Sequence, residues 1–376
     1  MVKAPSSTSS SRRKAGPPWG LVFALSLLLL LELALRGMNP AGRIAVGSEE
    51  SDLGYRSVPF ELQAGVPDVL VVGSSRARRG VLSPTLSQAL SAAHLPSRVK
   101  NFALAGAEAE EVELVVRRIA EAEQHPKLIV WALSARELES RDERPSSHVR
   151  YLWRPQDWRR ARRDVGSSSD QYLPHAVRNE AARWSYIARY RFELRELLQE
   201  PARKVTWRKL AAVFAPARDP ATPMQGGMPS IFRKSDRNDA KRVSKARVKR
   251  YLGEAYREPG WPRIYQAEHL EATVRRARRA GIPLLLVEVP VHEMLERAMP
   301  RGTQQRFRKY LQEVEDRYQV QFVSVEELPE PFEPEDFREQ SHLNFRGATK
   351  YTRALAPLVV QALGGVPAPS RATSDR

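Results

Sequence analysis

The chain has 376 residues, room for one large domain or two ordinary ones, and 42% are hydrophobic against 28% charged, which excludes collagenous, low-complexity and wholly disordered polymers. Its 61 Lys and Arg against 44 Asp and Glu leave a formal charge of +17, which points to a polyanionic partner: nucleic acid, a membrane surface or an acidic polymer. With no cysteine, disulfides, thiolate metal sites, iron–sulfur clusters and cysteine nucleophiles are excluded together.

Residues 1–18 are Ser-rich, basic and end in Pro-Pro, and are expected to be a disordered tail. Residues 19–35, WGLVFALSLLLLLELAL, form an apolar run at the short edge of what spans a bilayer. Arg12, Arg13 and Lys14 precede it, and the positive-inside rule places the tail in the cytoplasm and the rest of the chain outside, in the periplasm of a double-membraned cell. A signal anchor is the favoured reading; a cleaved signal peptide is the alternative, although ALRGMNPAG has no clean small-x-small cleavage site. Residues 36–66 lack periodicity and read as a stalk, and residues 365–376 as a second disordered tail.

Within the body, DVLVVGSS (68–75), RVKNFALAG (98–106) and KLIVWALS (127–134) are apolar runs that read as strands. Helical stretches opened by Ser83-Pro84 and over AEAEEVELVVRRIAEAEQ separate them. The rhythm returns with a helix about Tyr265–Ala280 stopped by Gly281, a strand in IPLLLVEVPV, a helix to about Tyr318, a strand in VQFVSVEEL and a last helix after Gly347. Continuous apolar strands alternating with helices indicate a parallel sheet covered on both faces. The expected fold is α/β, a flavodoxin-like three-layer sandwich over residues 67–140 and 261–364.

Residues 141–260 break this rhythm and form a basic, mainly helical insertion, with helices in WRRARR, HAVRNEAARWSYIARYRFELRELL and DAKRVSKARVKRYLGEAYRE and a long loop in PARDPATPMQGGMPS. They hold 28 Lys and Arg against 14 Asp and Glu, so most of the net charge belongs to the insertion. Trp153, Trp158, Trp184, Tyr186 and Tyr190 suit a headgroup-level surface or a plain helical core. For an exported body, an anionic lipid or envelope polymer fits better than nucleic acid.

Chemistry in such sheets is built where loops meet the carboxyl ends of the strands. The first strand delivers Gly73-Ser74-Ser75-Arg76, which exposes a hydroxyl at a strand-to-helix turn. The second ends at Gly106, whose missing side chain lets a backbone N–H face the same pocket. Before the last helix stands Glu339-Gln340-Ser341-His342-Leu343-Asn344, a carboxylate three residues ahead of a histidine, with Asp336 as the alternative carboxylate. Serine, histidine and an orienting carboxylate are the parts of acyl transfer. Each has a plainer use: Ser75 as a helix cap, His342 as a packing residue, Asn344 and Gly347 as turn and cap residues. Arg76, Ser134, His292 and Asn344 are substrate-binding candidates by position only; Arg76 reads equally as an exposed loop arginine and His292 as an ordinary loop histidine. No GxGxxG, HExxH or EF-hand spacing occurs, so neither a cofactor nor a metal is expected.

GSSR after the first strand, NFALAG after the second and SHLNFRGA near the carboxyl end resemble the blocks of the SGNH (GDSL-like) hydrolase superfamily. The nearest likeness is to its membrane-anchored branch, the DltD-like and alginate O-acetylation proteins, over about residues 66–135 and 282–360. The resemblance implies Ser75 as nucleophile, His342 as general base, Glu339 in place of the family's aspartate, and the backbone N–H groups of Ser75 and Gly106 as oxyanion donors. The family's block-three Asn has no counterpart in Ala132-Leu133-Ser134-Ala135-Arg136, where Ser134 is the substitute candidate. The implied activity is O-acyl transfer or ester hydrolysis on a cell-envelope glycan, beside a polytopic acyl-supplying membrane protein. The competing reading is an inactive binding module.

Overall fold

A computed structural model describes residues 19–38, 66–138, 152–165, 170–189, 243–255 and 264–364. The expected tails at 1–18 and 365–376, nearly all of the stalk, and the loop PARDPATPMQGGMPS lie outside the described residues.

Five strands make one parallel sheet: β1 (Val69–Gly73), β2 (Val99–Asn101), β3 (Leu128–Leu133), β4 (Leu284–Glu288) and β5 (Gln321–Val323). Their order is β2-β1-β3-β4-β5, every pair parallel, with Val69 opposite Leu128, Val130 opposite Leu285 and Leu286 opposite Phe322. Successive side chains on a strand point to opposite faces, and two cores result. Leu70, Val72, Ile129, Trp131, Leu133 and Leu286 belong to one. Val69, Val71, Val130, Ala132, Leu285 and Val287 belong to the other. The strands therefore read as unbroken apolar runs because both faces are covered.

Helices α2 (Ser75–Gly80) and α3 (Ser83–Ala92) follow β1, and α4 (Ala109–Ala120) follows β2. In the described part of the insertion lie α5 (Pro155–Val165), α6 (Leu173–Trp184), α7 (Tyr186–Arg189) and α8 (Lys245–Ala255). The sheet domain resumes with α9 (Ile264–Arg279), α10 (Glu293–Ala298), α11 (Thr303–Tyr318) and α12 (Phe345–Gly364). Three boundaries differ from expectation. The helix after β1 begins at Ser75 itself, because the Ser74 side chain accepts from the Arg76 N–H and caps it. The stretch before Tyr318 is two helices separated by Pro300 and Gly302, which is left-handed at φ 75°. The helix expected from His175 stops at Trp184, with Ser185 extended, before α7 resumes.

An antiparallel pair was not foreseen: β6 (Phe337–Glu339) and β7 (His342–Leu343) form a tight hairpin outside the main sheet. The strands are too short for alternation to reveal them. Asn344 and Gly347 fix this hairpin to α12. The Gly347 position has no room for a Cβ, which would meet the Asp336 carbonyl oxygen at 2.1 Å. The last helix thus begins two residues before Gly347, with the glycine inside its first turn.

The insertion is joined to the sheet domain by ion pairs around α4. Arg117 meets Glu113 at 3.3 Å and Asp157 of α5 at 3.2 Å, Arg118 pairs with the same Asp157, and Arg276 of α9 meets Glu113 at 3.1 Å. Trp153 is buried in the core and packs edge-on against Tyr172, and Trp158 is partly buried against it, so both serve as core residues. Trp184 is 70% exposed. Tyr190 lies outside the described residues.

The segment expected to span a membrane is the helix α1 (Trp19–Met38), in which Phe23, Leu25 and Leu27 to Leu31 are exposed. Among the described residues no helix is long and apolar enough to cross a membrane. In α1, Glu32, Arg36 and Gly37 interrupt the apolar run, leaving an unbroken stretch shorter than the roughly 20 residues a span requires. Those charges are used internally. Glu32 accepts from Arg36 (2.9 Å), from the Ser185 hydroxyl (2.9 Å) and from the Ile187 N–H (3.0 Å), and Arg36 donates to the Trp184 carbonyl (2.7 Å).

Candidate active site

Ser75 stands at the first position of α2, on the carboxyl edge of the sheet. Gly73 makes that turn possible. Its φ is 139°, and a Cβ there would lie 2.2 Å from the Ala132 carbonyl oxygen and 2.7 Å from the Ala77 Cβ. The chain can therefore turn sharply against β3 and present Ser75 half-exposed above the sheet.

The hairpin β6–β7 delivers the partners. His342 Nε2 lies 2.8 Å from Ser75 Oγ. His342 Nδ1 is in short contact with Glu339 Oε1, and the Ser341 hydroxyl donates to the same carboxylate oxygen at 3.0 Å. With Nδ1–H donated to Glu339, Nε2 presents its lone pair to the serine hydroxyl. Burial pushes the Glu339 carboxyl up, but the hydrogen bond and charge of His342, the Ser341 hydroxyl and the charge of Arg76 together bring it down to about 2. It is a permanent carboxylate at neutral pH. Asp336 takes no part: it receives the Glu333 N–H at 3.0 Å and pairs with Arg346 and Lys350.

Gly106 sits in the exposed turn after β2, at φ 76°, a conformation suited to glycine. Ser134 and Arg76 are brought together, but in the interior. Ser134 is buried and gives its hydroxyl and its N–H (2.8 Å) to Glu137, so it is not a donor aimed at a substrate carbonyl. Arg76 is 2% exposed; its guanidinium donates to the Ser134 hydroxyl and to the Tyr251 hydroxyl of α8 and lies 3.9 Å from Glu137. It is not an exposed loop arginine.

Two other substrate-binding candidates have structural work instead. His292 is buried, caps α10 by accepting the Met294 N–H at Nδ1 (3.1 Å), and meets the Phe337 ring edge-on at 5.3 Å. Burial lowers its pKa against the raising effects of Glu293 and Glu335, which keeps the accepting nitrogen unprotonated. Asn344 is buried, donates to the Glu335 (2.6 Å) and Phe337 (3.3 Å) carbonyls and accepts the Gly347 N–H (3.0 Å). The plainer reading holds for both.

Sequence reasoning missed Glu137 and Tyr251. Glu137 had a local signal, since Ser134-Ala-Arg-Glu137 is a Ser-x-x-Glu capping pattern opening the short helix 135–138. Tyr251 had none, being 175 residues from its partner. The assembly offers a hydroxyl, a base aimed at it and an ionised orienting carboxylate at one rim, the parts required to move an acyl group through a serine ester. No family model matches the chain, and no curated protein matches it.

Proposed function

We propose that this chain is an extracytoplasmic serine O-acyltransferase or esterase of SGNH type that acts on a cell-envelope glycan or related polymer. The single observation carrying the reading is the continuous Ser75–His342–Glu339 arrangement, with 2.8 Å between His342 Nε2 and Ser75 Oγ. Ser75 Oγ attacks the acyl carbonyl carbon while His342 Nε2 takes its proton, and Glu339 stabilises the imidazolium that forms. The tetrahedral oxyanion collapses, His342 returns the proton to the leaving oxygen or sulfur, and an acyl-Ser75 ester remains. A glycan hydroxyl, or water, then gives its proton to His342 and attacks that ester, and collapse of the second oxyanion breaks the bond to Ser75 Oγ, which takes the proton back from His342 as the acylated glycan or free acid leaves. No cofactor enters these steps.

The strand order β2-β1-β3-β4-β5 is that of flavodoxin-like doubly wound sheets, which supports the finer fold expected from the resemblance. The exposed leucines of α1 support attachment to a membrane, with the basic tail on the cytoplasmic side and the body outside. The basic helices of the insertion suit an anionic lipid or an acidic envelope polymer as neighbour, and an acyl-supplying polytopic membrane protein is the partner the chemistry calls for.

A second reading, an inactive binding module in an envelope-modification complex, is favoured by one observation: Ser134, the candidate third oxyanion donor, is spent on Glu137. Covalent capture separates the two. A serine-directed fluorophosphonate is expected to modify wild-type protein at Ser75, and Ser75→Ala to abolish both capture and p-nitrophenyl acetate turnover. A wild-type protein that resists the reagent, or turnover that survives in Ser75→Ala, would favour the binding module.

A further inference from the structure

Helix α6 turns its two sides to different surroundings. Ala176 and Ala182 are buried, and Asn179 donates to the Trp153 carbonyl at 3.0 Å, so this side packs into the insertion. The opposite side carries Pro174, Val177, Arg178, Ala181 and Trp184, all exposed and recurring at helical spacing, which makes one stripe. Only Arg178 among them is charged, whereas the outer face of a helix that meets water is normally polar. Val177 is 53% exposed and the stripe ends in Trp184. Scattered apolar residues on a surface mean little, but an aligned set closed by a Trp marks a contact.

The stripe ends where α1 acquires its charges. The Trp184 carbonyl accepts from Arg36, and the Ser185 hydroxyl and Ile187 N–H donate to Glu32. Before that latch, from Val22 to Leu31, every residue of α1 is exposed and only Ser26 is polar, the character of a helix surrounded by lipid. At the helical rise, the run from Trp19 to Leu35 measures roughly 25 Å against about 30 Å of hydrocarbon. An apolar segment shorter than the hydrocarbon draws its flanks toward the lipid surface. Here the flank is the α6–α7 corner, held at that level by the latch. Exposed Arg178, and exposed Arg159, Arg160 and Arg163 on α5, which packs beside α6, favour a negative surface. We infer that α6 is an interfacial helix whose Pro174–Val177–Ala181–Trp184 stripe lies in the headgroup layer of an anionic bilayer. The catalytic domain then sits flush on the lipid, and Ser75 works at a fixed height above it. This inference rests on reading α1 as the membrane attachment.

The chain has no cysteine, so single fluorescent probes can be placed on the full chain. The fluorophore NBD is attached at Ala181→Cys in the stripe, at Leu28→Cys in α1, and at Ser91→Cys on α3, which covers the face of the sheet opposite the insertion. In vesicles of equimolar phosphatidylcholine and phosphatidylglycerol, a nitroxide lipid labelled at the headgroup is expected to quench the Ala181 probe. A nitroxide deep in the acyl chains is expected to quench the Leu28 probe, and neither lipid the Ser91 probe. Quenching at Ala181 is expected to persist at high salt, because the contact is apolar. Val177→Glu with Trp184→Gln is expected to abolish it, with Leu28 quenching and the thermal midpoint unchanged, since both replaced side chains are exposed. An Ala181 probe no more quenched than the Ser91 probe, beside a quenched Leu28 probe, overturns the inference and leaves the attachment standing. So does quenching that is lost at high salt or that survives in the double variant. An Ala181 probe in an apolar setting without lipid quenching puts protein over the stripe and overturns it as well. An unquenched Leu28 probe overturns the attachment itself.

Discussion

The Glu339 carboxylate shows how a single side chain couples the site to pH. Its folded value, about 2, lies below its ordinary 4.5, so the native state binds this proton less tightly than the unfolded chain does. The stabilisation it provides is complete above that ordinary value and is lost as the pH falls from about 4.5 toward about 2. The difference in thermal midpoint between wild type and Glu339→Gln is therefore expected to be largest near neutrality and to shrink below pH 4.5. A difference that is flat across this range would show that the carboxylate is not ionised by its partners. At pH 7 the same substitution replaces the anionic acceptor of His342 Nδ1–H with a neutral amide whose NH2 group can hold the imidazole in the wrong tautomer, and ester turnover is expected to fall by about 10²–10⁴-fold with Ser75 still in place. The Ser75, His342 and Glu339 side chains were legible as a group because each sits next to a local signal: a Gly-Ser-Ser turn after an apolar strand, and a carboxylate three residues before a histidine. Ser134, His292 and Asn344 lie in loops at the carboxyl side of the sheet, where their side chains serve Glu137, the α10 cap and the start of α12. Sequence position locates a residue along the edge of the sheet, whereas the direction of its side chain depends on caps and carbonyls contributed by neighbouring loops.

The hairpin β6–β7 is the element on which the site depends, since it carries both Glu339 and His342 while making no strand pairing with the main sheet. What seats it is the start of α12. Asn344 ties the Glu335 and Phe337 carbonyls to the helix, and Gly347 lets the helix backbone approach Asp336. Gly347→Ala forces a Cβ to within 2.1 Å of the Asp336 oxygen and 2.9 Å of its carbonyl carbon, so the loop or the helix must shift. Overpacking of this kind costs about 1–3 kcal/mol, which urea unfolding will read as a lowered midpoint at unchanged slope. Because Asp336 is three residues before Glu339, turnover is expected to fall further than the loss of folded protein explains. A variant with wild-type stability and turnover would mean that α12 does not position the hairpin. The main strands were legible for the opposite reason. Both faces of the sheet are buried, so each strand declares itself as an apolar run, whereas a hairpin of three and two residues is specified by contacts remote in sequence.

Over the whole molecule, the leucine-rich helix and the basic insertion are mechanically joined. Glu32 is only 15% exposed at its side chain and accepts from Arg36, Ser185 and Ile187, while Arg36 reaches the Trp184 carbonyl. A charge that reads from the sequence as an interruption of an apolar run is, in the fold, the latch between α1 and the α6–α7 corner. The described helices α5 to α7 are thus fastened at one end to the helix with exposed leucines and at another to the α4 arginines through Asp157. Tyr251 of α8 reaches Arg76 in the turn that carries Ser75. This arrangement predicts a fixed distance between α1 and α6, and the absence of cysteine makes it measurable without background labelling. Spin labels at Leu25→Cys and Val177→Cys, both exposed positions, are expected to give a narrow distance distribution in detergent and in anionic nanodiscs. Glu32→Ala removes the acceptor shared by Arg36, Ser185 and Ile187 and is expected to broaden that distribution in both media, while Ser75-dependent turnover in detergent is retained. If the wild-type distribution is already broad, the helix is tethered only through the intervening chain. The basic insertion would then have to orient the body at a membrane surface through its exposed arginines alone, a mode that salt weakens, whereas the half-buried latch is much less sensitive to salt.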